Sequence, residues 1–131
     1  MTQEELIQEA TAAREKAIAP FSKFKVGAAL LTSEGAIFHG CNVENSTFGL
    51  TVCAERVALL SALAAGERDF SSIAVVTQTE APSTPCGACR QLLWEFCGDI
   101  EMHLASISGA ARTVTLAELF PQPFDLLPEG S

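Results

Sequence analysis

Short apolar runs alternate along this chain with longer stretches of helical spacing, and that alternation constrains the fold more than any other feature. Thr2 and Glu5 form a capping-box pattern, and Leu6, Ile7, Ala10, Ala13, Ala17 and Ile18 recur at helical spacing up to Pro20, which predicts a first helix. Val26 to Thr32 and Ala36 to Asn42, parted by Ser33-Glu34-Gly35, predict an antiparallel hairpin. From about Val52 a helix-forming run continues to a cap at Gly66, apolar nearly all round and therefore expected to be buried. Ile73 to Thr77 predicts a strand, the segment from Cys86 to Gly98 a helix, Ile100 to Ile107 and Arg112 to Thr115 two further strands, and Ala117 to Phe120 a turn of helix. Strands alternating with helices long enough to cross over predict an α/β fold: a three-layer α-β-α sandwich with a mixed sheet of about five strands.

The length of 131 residues suits a single domain spanning 1–131. Hydrophobic residues make up 48% and charged residues 18%, which excludes a disordered or linker protein. Apolar content that high in so small a domain predicts burial of some surface against further subunits. A net charge of -8 repels phosphate backbones, so nucleic acid is not an expected partner. The first twenty residues lack the pattern of a signal peptide, and no stretch reaches the roughly 18 apolar residues of a membrane span. A cytoplasmic protein without a membrane partner is the expectation.

Five cysteines are an odd count, and Cys86 and Cys89 stand too close together for an ordinary structural crosslink. Cys53-Ala54-Glu55 and Pro85-Cys86-Gly87-Ala88-Cys89 each fall at a predicted helix start, where backbone N–H groups and the positive dipole end favour thiolates. Cys86 and Cys89 share one face of a first turn, and Cys53 brings a third sulfur from another helix. Three thiolates suit zinc, and three protein ligands leave a fourth position for water, the mark of a catalytic site. Glu55 lies roughly 200° round the helix from Cys53, so it flanks such an ion and is placed for proton transfer. Arg56 and Arg90 are candidates to offset the thiolates' negative charge.

Four ordered motifs resemble those of the small homotetrameric cytidine deaminases: the segment Phe21 to Leu30, Asn42-Val43-Glu44-Asn45, Cys53-Ala54-Glu55-Arg56, and Pro85-Cys86-Gly87-Ala88-Cys89-Arg90-Gln91. The resemblance implies a cytidine deaminase-like fold, one zinc per chain on Cys53, Cys86 and Cys89, and hydrolysis of cytidine and 2′-deoxycytidine to the uracil nucleosides and ammonia, a pyrimidine-salvage reaction. By the same resemblance, hydroxide formed at zinc attacks C4 while Glu55 moves protons to the ring N3 and the departing amine. It implies further that Asn42 and Glu44 hold the ribose hydroxyls, that Phe24 lies against the base, and that Ala54 contributes to substrate binding. Active sites shared within a homotetramer are implied too, with Ser46-Thr47-Phe48 and Phe124 reaching into a neighbouring subunit. Many relatives carry Tyr where Phe48 stands, and this chain contains no Tyr.

The competing readings are a closed structural zinc site completed by Cys41 or Cys97, a deaminase for another aminopyrimidine such as blasticidin S, and a polynucleotide deaminase. The order of motifs favours catalysis, the ribose-side motif favours a nucleoside, and the acidic charge disfavours polynucleotides. Cys41 and Cys97 are expected to be ordinary buried thiols, His39 and His103 to lie outside the site, and Trp94 to belong to core or interface.

Overall fold

The computed structural model describes residues 1–47, 50–79 and 87–119. In chain order the elements are α1 (Gln3–Arg14), β1 (Gly27–Thr32), β2 (Ile37–Cys41), α2 (Ala54–Ala64), β3 (Phe70–Thr77), α3 (Gly87–Cys97), β4 (Glu101–Ser106), β5 (Ala111–Thr115) and α4 (Leu116–Leu119). One sheet runs β2-β1-β3-β4-β5. Among the described strands only β3 and β4 pair in parallel, and α3 lies in the crossover that a parallel pair requires. This is the mixed five-stranded α/β sandwich that the alternating pattern predicts.

Successive residues of β1 serve opposite faces of the sheet. Ala29 packs with Leu6 and Ala10 of α1 and with Ala74, Val76 and Ala105. Ala28 and Leu30 instead meet Ala54, Ala58, Leu59 and Ala62 of α2, Leu93 of α3, and Met102 and Leu104 of β4. Helices therefore cover both faces, and strand periodicity of two divides the core between them.

Two glycines set how closely the helices approach. A Cβ at Gly27 would collide with the Ala10 carbonyl oxygen and come within 2.7 Å of the Arg14 Cβ on α1. A Cβ at Gly40 would collide with the Ala54 carbonyl oxygen and lie 2.5 Å from the Ala58 nitrogen on α2. Because the obstructing atoms are backbone, Gly40→Ala is expected to destabilise the fold by about 3 kcal/mol, the upper part of the usual overpacking range. Thermal denaturation should show this as a melting point lower by on the order of 10 °C.

The capping box at Thr2 and Glu5 forms as expected, with each side chain bonding the other's backbone N–H. Helix α1 nevertheless ends at Arg14 with Glu15 as its C-cap, short of Pro20. Ile18 leaves the helix to bridge Val43, donating its N–H to Asn42 and accepting from Glu44. Val52 likewise bridges Val43, so α2 starts at Ala54. Gly66 takes a left-handed φ of 93° just past α2, as its capping role requires. The other face of α2 is not buried in this chain, and Leu60 on it is 50% exposed. Among the described residues no helix is long and apolar enough to cross a membrane.

Candidate active site

Helix α2 opens with Cys53 at its N-cap in extended conformation, so the thiol and the Glu55 carboxyl flank one helix end. Cys89, in the first turn of α3, is fully buried, and its thiol hydrogen-bonds the Glu55 carboxyl. Two cysteines 36 positions apart are thus joined through the acid between them. Arg56 donates to the Thr51 carbonyl at 3.2 Å and places the same nitrogen 3.8 Å from the Cys53 sulfur, a cation that favours the thiolate.

Glu55 is only 5% exposed. Burial pushes its carboxyl up to about 7, and the neighbouring Cys53 adds to the rise, while its own backbone N–H, the Cys89 thiol and Arg56 oppose it. A carboxyl titrating near neutrality both accepts and returns a proton readily.

The donor set fits a soft metal ion: two thiols near helix N-termini, one beside a guanidinium. Cys86, the third cysteine of the motif, lies outside the described residues, as do Phe48 and Phe124. Among the described residues no three His, Cys, Asp or Glu side chains gather for a metal. Arg90 donates to the Leu119 carbonyl at 2.8 Å and ties α3 to the end of α4.

Cys53, Ala54 and Glu55 form one end of a cavity of about 290 Å3, near the lower limit of small-molecule pockets. Phe24, Asn42 and Glu44 line it as well, so residues from three sequence motifs share one space. Asn42 accepts from the Val26 N–H at 2.8 Å and donates to the Phe24 carbonyl at 2.7 Å. One carboxylate oxygen of Glu44 accepts from the N–H groups of Phe21 and Ser22 at 3.0 and 3.1 Å. The Ser22 hydroxyl, followed by these backbone groups, holds the Glu44 carboxyl below the usual carboxylate range. Lys23 between them takes a left-handed φ of 61°, which turns the chain so that the Phe24 N–H reaches the Ser22 hydroxyl.

Ser22, Thr51, Val75 and Thr77 also line the cavity and are not singled out by sequence reasoning. Only Ser22 carried a signal, its place in a motif. Ser46 and Thr47 are exposed. A larger depression of about 430 Å3 between α1 and β2 holds Glu9, Lys16, His39 and Cys41. There His39 pairs with Glu9 at 3.1 Å, in the open. His103 is buried between Thr113 and Glu101, away from Glu55, and burial lowers its pKa. Cys41 and Cys97 are half-buried free thiols, and burial pushes Cys97 up to about 12. Trp94 packs against the core.

The family model for the cytidine and deoxycytidylate deaminase zinc-binding region matches residues 1–103. The chain belongs to that family. The deaminase is 50% identical over 125 residues to the cytidine deaminase of Sporosarcina psychrophila, covering 95% of this chain and 92% of the relative. It is 47% identical over 125 residues to the cytidine deaminase of Halalkalibacterium halodurans, covering 95% of each. The crystal structure of cytidine deaminase from Burkholderia pseudomallei superposes with a TM-score of 0.93 at 54% identity, covering 95% of the deaminase and 100% of that chain. Zinc is the metal that this family's matched region binds.

Proposed function

We propose that the deaminase hydrolyses cytidine and 2′-deoxycytidine to uridine and 2′-deoxyuridine with release of ammonia, a pyrimidine-salvage reaction. The observation that carries this reading is a buried Glu55 carboxyl, bonded to Cys89 and beside Cys53, in one cavity with Phe24, Asn42 and Glu44. Cys53, Cys86 and Cys89 are the proposed ligands of one zinc per chain. Zinc, when bound there, supplies the Lewis acidity that makes water a nucleophile at neutral pH.

Glu55 takes a proton from the attacking water and gives it to the ring N3, so that C4 accepts the new C–O bond. It then carries the second proton to the amino nitrogen, the C4–N bond breaks, and ammonia leaves. One water is consumed and no oxidant is needed. Arg56, against Cys53, and Arg90 temper the negative charge of the thiolates. Asn42 spends one N–H and one lone pair on Phe24 and Val26 and keeps one of each for a ribose hydroxyl. Glu44 offers its carboxylate to the same sugar, and its charge disfavours a phosphate there. Phe24 faces the base, and Ala54 borders the substrate at the helix end.

The whole chain acts as one domain in a cytoplasmic homotetramer with shared sites, to which Phe124 of a neighbouring subunit contributes. Support comes from the apolar surface left by the fold, Leu60 on α2 and Phe96 on α3 being 50% and 40% exposed. The test is ammonia release from cytidine, deoxycytidine, cytidine monophosphate and blasticidin S by the zinc-loaded protein. Turnover of the two nucleosides alone is the expected result. Turnover of the nucleotide or of blasticidin S in their place overturns the substrate assignment, and no turnover of any compound by folded, zinc-loaded protein overturns the enzymatic one.

A further inference from the structure

The Phe24 side of the cavity is not built on a strand. Residues 24–26 precede β1, where no sheet ladder holds their backbone, yet each N–H and carbonyl there has a defined partner. Ser22 and Asn42 hold Phe24, and Asn42 holds Val26 through both its side chain and its own N–H. The middle residue is held from farther away. Arg14, in the last turn of α1, donates its Nε to the Lys25 carbonyl at 3.0 Å. The Gln78 side-chain oxygen, just beyond β3, accepts from the Lys25 N–H at 3.3 Å and from the Arg14 Nη2 at 2.9 Å. Neither Arg14 nor Gln78 lines the cavity.

We propose that Arg14 and Gln78 are positioning residues for the substrate site, acting through Lys25 to hold Phe24 and Val26 in place. The geometry suits the task. The Arg14 side chain is 12% exposed and is brought in by the close crossing of α1 over Gly27. Its planar fork presents two separate nitrogens, Nε and Nη2, to two acceptors in one fixed geometry, which the single nitrogen of an ammonium does not reproduce. Gln78 closes the ring by accepting from both the backbone and the guanidinium, so three elements far apart in sequence fix one residue. Loss of the Gln78 oxygen leaves the Lys25 N–H and Arg14 to find water, and the segment carrying Phe24 loosens. The chemistry at Glu55 lies on a different helix and is untouched, so the effect falls on binding.

This inference rests on the deaminase reading for its kinetic arm and stands apart from it for its structural arm. In the zinc-loaded full chain, Gln78→Leu is expected to raise the KM for cytidine about tenfold, the scale of one lost hydrogen bond, with kcat changed less than about threefold. Arg14→Lys should reproduce that defect. Gln78→Glu, which keeps the acceptor, should stay within about twofold of the parent. In a Phe24→Ala background, Gln78→Leu should change KM by less than about twofold, because the group it positions is gone. Amide hydrogen exchange gives the arm that needs no turnover: the Lys25 and Val26 amides should exchange faster in Gln78→Leu, with zinc content unchanged.

Unchanged exchange at Lys25 and Val26 overturns the proposal, as does a KM effect that persists in full without the Phe24 ring. If the parent protein releases no ammonia from cytidine, the deaminase reading fails on that result alone, and exchange still decides whether the clamp exists.

Discussion

Glu55→Gln is expected to lower kcat for cytidine by about a thousandfold, in the middle of the range for loss of a general acid–base group. Gln keeps the size and hydrogen-bonding reach of the side chain and removes only the ability to carry a proton. Burial already disfavours the charged carboxylate, pushing it up to about 7, so an uncharged amide at a site that is 5% exposed carries no added desolvation cost. The melting point should therefore hold within a few degrees, and zinc content, read by elemental analysis, should match the parent. A kcat within tenfold of the parent would sink the assignment of Glu55 as proton carrier.

The second large effect is expected at Cys89. Cys89→Ala removes a fully buried thiol that contacts Glu55, and the zinc-to-chain ratio should fall from about one to near zero, with cytidine turnover lost. A ligand present at a thousand times its dissociation constant stabilises by about 4 kcal/mol. Its loss should lower the melting point by on the order of 15 °C in a chain this size. Cys97→Ala is the control. Burial holds that thiol up at about 12, so it remains protonated at neutral pH and is a poor ligand. Full zinc retention in Cys89→Ala would overturn Cys89 as a ligand, and zinc loss in Cys97→Ala would favour the closed structural site over the catalytic one.

Much of this molecule is legible in its sequence because local chemistry decides it. The capping box of Thr2 and Glu5, the glycine beyond α2, and the hairpin of β1 and β2 follow from short-range rules that the fold leaves intact. The end of α1 does not. Ala17 and Ile18 keep helical spacing, but Ile18 gains a strand-like bridge to Val43, a partner 25 positions away that periodicity cannot see. The burial of α2 departs from the expectation for a related reason: apolar residues all round a helix do not say which of its faces this chain covers, and Leu60 stays half exposed.

The candidate site divides along the same line. Cys53 and Cys89 announce themselves as thiols at two helix starts, and Glu55 by standing two residues after one of them on a largely apolar helix, since a carboxyl in a first turn is by itself common. Asn42, Glu44 and Phe24 needed the family resemblance, because Asn-Val-Glu-Asn after a strand also reads as a polar turn. Ser22, Arg14 and Gln78 act on backbone groups, and a hydrogen bond to a backbone amide places no demand on the sequence at the receiving residue. Arg14 and Gln78 are 64 positions apart and meet only because α1 and the end of β3 lie on the same side of Lys25.

Gly27 and Gly40 occupy adjacent rungs of the β1–β2 ladder and point to opposite faces of the sheet. The sandwich is at its thinnest there, two layers of backbone resting on one another with only hydrogen atoms between. One helix seated in this notch carries Arg14, and the other begins with the turn that bears Cys53 and Glu55. Anyone wishing to toughen this protein by filling space should leave that notch alone. A spacer as small as a methyl group on either side of the sheet would tilt a helix, and the tilt would be felt as misalignment of the site as well as in lost stability.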